Sequence, residues 1–197
     1  MRIAVVGTGY VGLTTAVCFA FLDHKVRCVD IDESKIEKIN NGVSPIFEEG
    51  MDSRLKEVVG SGQLVASTDL EKAVMDSDLS FVCVGTPALD DGSIDLSQIR
   101  AVSVSIGKAL KNFTGRHIVV IKSTVLPGTS EEVVIPELEG NSGLKVVEDF
   151  GVCVNPEFLR EGQAISDFFD PKNTGIVIGE SDNESGGVLA ELYSGFN

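Results

Sequence analysis

Six residues constrain this chain more than any others. Gly7-Thr8-Gly9-Tyr10-Val11-Gly12 follows the apolar run Ile3-Ala4-Val5-Val6 and opens a second apolar stretch that ends near Leu22. A strand that runs through a Gly-x-Gly-x-x-Gly turn into a helix leaves little choice of fold. Gly7 permits the tight turn, Gly9 lets main chain approach a pyrophosphate, and Gly12 lets the helix pack closely on the strand. The helix head then presents unpaired amides and a partial positive charge to an anion. Asp30 closes the next apolar run, where a carboxylate accepts hydrogen bonds from ribose hydroxyls and repels a 2′-phosphate. This constellation predicts a dinucleotide site, for NAD rather than NADP, with Lys35 as a cation near the ribose.

The charge balance says how such a ligand must be held. Against 30 Asp plus Glu stand 16 Lys plus Arg, a net charge of −14 over 197 residues. Binding to nucleic acid through a general basic surface is excluded, because it depends on neutralising phosphates. A phosphate-bearing ligand must be met by local main-chain donors and a few placed cations. The 43% apolar content, 10 Phe and 6 Pro fit one compact domain over residues 1–197. No charge interrupts Ile3–Leu22, and a run of that length can cross a bilayer. The three glycines break it, and no Ala-x-Ala-like cleavage site follows, so the reading is a soluble, cytoplasmic protein without membrane contact. Cys18, Cys28, Cys83 and Cys153 form no CxxC pair and sit in apolar runs, as buried thiols do. His24 and His117 have no metal-type partner at helical spacing, and no metal site is expected.

Strands are predicted at Arg2–Val6, Lys25–Asp30, Gln63–Ser67, Leu79–Val84, His117–Ile121, Gly151–Val154 and Thr174–Ile178. Several are continuous apolar runs, the pattern of parallel strands covered on both faces. Between them, Thr68-Asp69-Leu70-Glu71 fits a capping box and Asp95-Leu96-Ser97-Gln98 a weaker one. The weaker box precedes a stripe of Ile99, Val102, Ile106 and Leu110. Asp32 is positioned to cap a helix carrying Ile36 and Ile39. Gly140–Gly143 and Ser181–Gly187 read as surface turns or loose helix starts. Alternating strand and helix predicts an α/β fold: a doubly wound, Rossmann-type, mainly parallel sheet with helices on both faces. Ligands in such sheets bind beyond the strands' carboxyl ends. There lie Val84-Gly85-Thr86-Pro87 and Lys122-Ser123-Thr124-Val125-Leu126-Pro127-Gly128, which on their own read equally well as plain strand-to-helix turns.

Taken in order, MRIAVVGTGYVG, VDID, NNGVSPIFEEG, VCVGTP, KSTVLPGT and NPEFLREG resemble the UDP-glucose 6-dehydrogenase and GDP-mannose 6-dehydrogenase family across essentially the whole chain. Members of that family oxidise a nucleotide sugar from the C6 alcohol to the acid and reduce two NAD. The resemblance implies that Tyr10, Val11, Asp30, Lys35, Thr86 and Thr124 contact NAD. It places Glu157 and Glu161 near the reacting carbon, with Phe158, Leu159 and Arg160 in the sugar-nucleotide pocket. Thr124 and Glu161 would serve the acid–base steps of hydrolysis, Thr124 by holding a water. A carboxylate in a closing, water-poor cleft gains proton affinity and can take a proton from water. Without the resemblance, Glu157 and Glu161 read as a solvated helix start.

One departure bears on activity. The family's second oxidation proceeds through a cysteine in a GFGGSCLPKD-like stretch, assisted by a lysine and an asparagine on a central helix, and none of these occurs here. The expectation is an NAD-binding half without the central helix and sugar-nucleotide half, inactive by itself and monomeric, whereas the complete enzyme dimerises. UDP-glucose is the expected sugar, on a slight lean from Asp167-Phe168-Phe169-Asp170-Pro171, with GDP-mannose second. A non-catalytic NAD-binding module is the reading from another class. A methyltransferase would pair a glycine turn with an acid but leaves NPEFLREG without purpose. A dehydrogenase of the 3-hydroxyacid type would share the first turn and lack STVLPGT.

Overall fold

The computed structural model describes residues 1–170 and 175–196. Seven strands form one sheet: β1 (Arg2–Val6), β2 (Lys25–Val29), β3 (Leu64–Ser67), β4 (Leu79–Val82), β5 (His117–Ile121), β6 (Phe150–Val154) and β7 (Gly179–Glu180). Their spatial order is β3-β2-β1-β4-β5-β6-β7, parallel throughout except for β7. Chain direction away from β1 reverses between β1 and β4, the switch point at which such sheets open a crevice. The connecting helices are α1 (Tyr10–Phe21), α2 (Glu33–Asn40), α3 (Met51–Gly60), α4 (Leu70–Met75), α5 (Ser97–Leu110), α6 (Ile135–Ser142), α7 (Ala164–Phe169) and α8 (Asn183–Ser194). A π-helical turn, Ser130–Val134, leads into α6.

Apolar cores cover both faces of the sheet, which explains why several of its strands read as near-continuous apolar runs. On β5, Ile118 and Val120 join a core with Leu13 and Phe19 of α1, Leu55 of α3 and Leu189 of α8. Val119 and Ile121 face the other way, onto Ile99 and Ile106 of α5 and Leu138 of α6. Phe19 anchors the first core, with the rings of Phe81, Tyr193, Phe168 and Phe196 at 5.2, 5.5, 5.7 and 5.7 Å. The charge-free N-terminal run is strand, turn and a 12-residue helix. Among the described residues no helix is long and apolar enough to cross a membrane.

Several local expectations shift. The α4 cap is Asp69, whose carboxylate accepts from the Lys72 amide at 2.9 Å, so the box does not start at Thr68. A carboxylate is the stronger acceptor at a helix head. Asp95 accepts from the Ser97 amide at 2.8 Å from just outside α5, whose own cap position, Leu96, has no side-chain bond. Gly140 lies inside α6, and Gly143 closes it in the left-handed conformation (φ +77°). Ser181–Gly187 runs into α8, which Asp182 caps. The last strand is misplaced: Thr174 falls outside the described residues, Gly175–Ile178 forms no ladder, and Gly179–Glu180 pairs antiparallel with Cys153 and Val154. There the Asn155 side-chain amide takes the Val177 carbonyl at 3.0 Å, in place of a neighbouring strand.

His117 is a fully buried residue of β5. Its Nδ1 faces the Ser77 carbonyl at 3.2 Å, which can only accept, so Nδ1 carries the proton and Nε2 (2.8 Å away) accepts from the Ser80 hydroxyl. Burial pushes its pKa from 6.5 down to about 4, against the favourable Ser77 contact. Between those values the unfolded chain takes up a proton that the folded one refuses, so stability falls as pH drops from 6.5 towards 4. The expected loss is on the order of 3 kcal/mol across that window. Urea unfolding at pH 7 and pH 5 should show a steeper fall for the parent than for His117→Gln, because contributions from other groups cancel in the difference. Equal slopes for the two proteins would overturn this account.

Candidate functional site

The glycine turn sits at the β1/β4 switch point. Gly7 has φ +96°, and a Cβ there would lie 2.7 Å from the Cys83 carbonyl oxygen, so only glycine fits. At Gly12 a Cβ would stand 1.8 Å from the Gly7 carbonyl oxygen, which is how closely α1 rides on the turn. Gly9 is different. Nothing lies within 4 Å of its Cβ position, and it caps α1 without any side-chain bond. No acidic residue occupies the first turn of that helix, so its head amides face outward uncompensated.

A cleft of about 770 Å³ opens in front of them, lined by Gly7, Gly9, Asp30, Lys35, Gly85 and Gln98 among others. β2 ends at Val29, and Asp30, whose amide still donates to the Ser67 carbonyl at 3.4 Å, turns its carboxylate onto Thr8 in the turn. One oxygen accepts from the Thr8 amide at 2.8 Å and the Thr8 hydroxyl at 2.7 Å, and the other accepts from the Asp32 amide at 3.1 Å. Lys35 Nζ lies 3.7 Å away. Burial works against this charge, but the Thr8 and Asp32 donors and the Lys35 ammonium outweigh it and hold Asp30 below the usual carboxylate range. Asp32 caps α2 through the Ser34 and Lys35 amides, which orients Lys35 towards the cleft. Ile31, 97% exposed, lies at the rim. The open Gly9 face, the bare helix head and the carboxylate beyond it fit the pyrophosphate and ribose of a dinucleotide.

The other sequence-derived site residues fall into two groups. Thr86 and Thr124, at the ends of β4 and β5, are joined directly: the Thr86 hydroxyl donates to the Thr124 carbonyl at 2.7 Å. Glu157 through Gly162 form an irregular strap between β6 and α7. Glu157 Oε1 accepts from the Phe158 and Leu159 amides at 2.7 and 2.6 Å, while Oε2 pairs with Lys122 Nζ at 3.1 Å. Arg160 forks onto the buried Asp167 carboxylate at 2.5 and 3.0 Å. Phe158 is 53% exposed, and Glu161, also exposed, makes no hydrogen bond or ion pair among the described residues.

Two residues with no role assigned from sequence prove central to this region. Lys122, only 5% exposed at the end of β5, also donates to Asn155 Oδ1 at 3.1 Å, and Tyr193 Oη reaches the same oxygen at 2.5 Å. Glu48, 6% exposed, accepts from the Tyr10 hydroxyl, from the Gly162 amide at 2.8 Å and from the Ile165 amide at 3.4 Å. The only sequence signals were a lysine opening KSTVLPGT and a glutamate inside PIFEEG, both of types that normally face water. The four thiols are buried, and burial raises every one, Cys83 and Cys153 to about 12. None is a thiolate near neutral pH. No cluster of His, Cys, Asp and Glu suited to a metal ion occurs among the described residues.

Comparison with known proteins agrees with this geometry. Residues 1–197 match the NAD binding domain of the UDP-glucose/GDP-mannose dehydrogenase family. GDP-mannose 6-dehydrogenase of Pseudomonas aeruginosa is 49% identical over 193 residues, 98% of this chain and 44% of that protein. UDP-glucose 6-dehydrogenase of the same organism is 38% identical over 196 residues, 100% of this chain and 42% of that protein. The crystal structure of a ternary complex of GDP-mannose dehydrogenase from P. aeruginosa superposes with a TM-score of 0.96 at 48% identity, over 98% of this chain and 44% of that one. A UDP-glucose dehydrogenase from Pyrobaculum islandicum gives 0.92 at 39% identity, over 99% of this chain and 44% of that one. The chain thus spans less than half the length of the curated relatives it matches. With its strand order, glycine turn and whole-chain match, the chain belongs to the UDP-glucose/GDP-mannose dehydrogenase family, as the NAD binding domain.

Proposed function

We propose that this chain supplies the coenzyme half of a nucleotide-sugar 6-dehydrogenase whose substrate is GDP-mannose. One observation carries the choice of sugar. Within a single organism, P. aeruginosa, the GDP-mannose enzyme is 49% identical and the UDP-glucose enzyme 38%. Shared ancestry of the host cannot account for that gap, which displaces UDP-glucose as the first expectation. That gap outweighs the lean drawn from Asp167–Pro171, in which Asp167 holds Arg160 and Pro171 lies outside the described residues.

In this reading the main-chain amides of Tyr10 and Val11 receive the pyrophosphate, with Gly7, Gly9 and Gly12 shaping the approach. Asp30 accepts the ribose hydroxyls and Lys35 flanks them. Thr86, one residue beyond the cleft-lining Gly85, and Thr124, which it touches, would flank the nicotinamide end, and bound NAD would supply the hydride acceptor for oxidation at C6. The strap residues Phe158, Leu159 and Arg160 line the sugar side. The two glutamates divide the work. Both oxygens of Glu157 are committed to the strap amides and Lys122, which makes it the anchor of the loop. Glu161, exposed and unengaged, is the carboxylate free to exchange a proton with a water held by Thr124. No thiol here suits the covalent step of the second oxidation, so this chain alone binds coenzyme without turning over.

A non-catalytic module would keep the cleft equally well, and fusion separates the two readings. With this chain in place of the matching segment of P. aeruginosa GDP-mannose 6-dehydrogenase, NADH production from GDP-mannose should persist. The same exchange into the P. aeruginosa UDP-glucose enzyme should be markedly poorer, and the reverse ranking would overturn the sugar assignment. The 197-residue chain by itself should gain thermal stability with NAD far more than with NADP and make no steady NADH from either nucleotide sugar. Sustained NADH formation would refute its predicted inactivity. Asp30→Ala should weaken NAD by about tenfold, the scale of hydrogen bonds to a charged group, and narrow the preference over NADP. Unchanged calorimetric affinity would remove Asp30 from the ribose.

A further inference from the structure

Tyr10 belongs to two sites at once. Its main chain opens α1 at the glycine turn, while its side chain leaves the cleft and meets the strap. The hydroxyl donates to Glu48, lies 3.1 Å from the Arg160 carbonyl and accepts from the Gly162 amide at 2.9 Å. Glu48 completes the junction. Its Oε2 shares the Gly162 amide at 2.8 Å and its Oε1 takes the Ile165 amide at 3.4 Å. Gly162 stands at φ +84° with open space around its Cβ position, so the backbone twist itself requires glycine and aims the amide back at this pair. The carboxylate therefore gathers one donor from the coenzyme helix and two from the strap and the head of α7.

The geometry is that of a mechanical link. Beyond Glu157 at its near end, the strap is held through Arg160, Gly162 and the Tyr10–Glu48 pair, and Phe158, Arg160 and Glu161 lie exposed between. Resting on NAD as the ligand of the glycine turn, we propose that Glu48 is a positioning residue that ties the strap to the coenzyme helix, so that a coenzyme seated at the head of α1 orders Phe158–Glu161 for the nucleotide sugar. A ligand that restrains Tyr10 restrains what Tyr10 holds. By linkage the strap's occupant strengthens coenzyme binding by the same factor.

Amide hydrogen exchange of Gly162 and Ile165 in the 197-residue chain tests this. The probes are NAD and ADP-ribose, which fills the same turn but has no nicotinamide to touch the strap directly. Both should slow exchange at the two amides, by at least ~5-fold, the lower range of ordinary coupling between sites. Glu48→Gln keeps the side-chain size and weakens the junction. It should lose the ligand-induced slowing while calorimetric affinity for NAD changes much less. Tyr10→Phe, which removes the hydroxyl alone, should lose the slowing as well and keeps the test open if Glu48→Gln folds poorly. A purely structural Glu48 would change exchange equally with and without ligand. Coenzyme binding without slowing in the parent, or slowing retained in both variants, overturns the link and leaves NAD binding standing. If calorimetry detects no NAD binding at all, the coenzyme reading falls and the link with it.

Discussion

The approach of α1 to the glycine turn governs the rest of this molecule. Because Gly12 lies where a Cβ would collide with the Gly7 carbonyl, the helix head sits directly against the end of β1. Had the helix been held off by a single methyl group, its first amides would no longer face the crevice between β1 and β4. The consequence is electrostatic. A chain with a net charge of −14 cannot attract a pyrophosphate by its overall field, so peptide dipoles and bare amides must act at short range. Asp30 adds to this by fixing Thr8 within the turn through both its amide and its hydroxyl.

Much of this was legible in the sequence, for a physical reason. Strands buried on both faces are largely apolar, so β1, β4 and β5 announced themselves in spite of Ser80 and His117, and Gly7 and Gly12 occupy positions that no other residue can fill. Local rules also worked where the interaction is local, as with Asp32 capping α2 through the next residues. They slipped where two acceptors compete within one or two residues. Asp69 displaced Thr68 at the head of α4. They failed differently at Val177, whose carbonyl accepts from the Asn155 side-chain amide, 22 positions away, where a strand had been expected.

The parts that stayed hidden are those made by distance along the chain. Lys122 alone reads as a solvated lysine, and Glu157 and Asn155, brought over from the end of the neighbouring strand, allow it to be buried. Glu48 and Gly162 are separated by 114 positions, and no periodicity or spacing rule joins them. The resemblance named the strap residues without saying what holds them. The buried acid and buried lysine that anchor it emerge only from the folded arrangement.

The crowding around the turn also limits how such a domain can diverge. Position 7 is closed by a neighbouring carbonyl and a positive φ, and position 12 is closed by the main-chain carbonyl of position 7, so neither accepts a side chain. Room for variation is left outside these two positions, as at position 10. At position 10 this chain carries a tyrosine long enough to touch a loop 150 residues downstream. New partnerships can therefore evolve from that side chain while the backbone beneath it remains frozen.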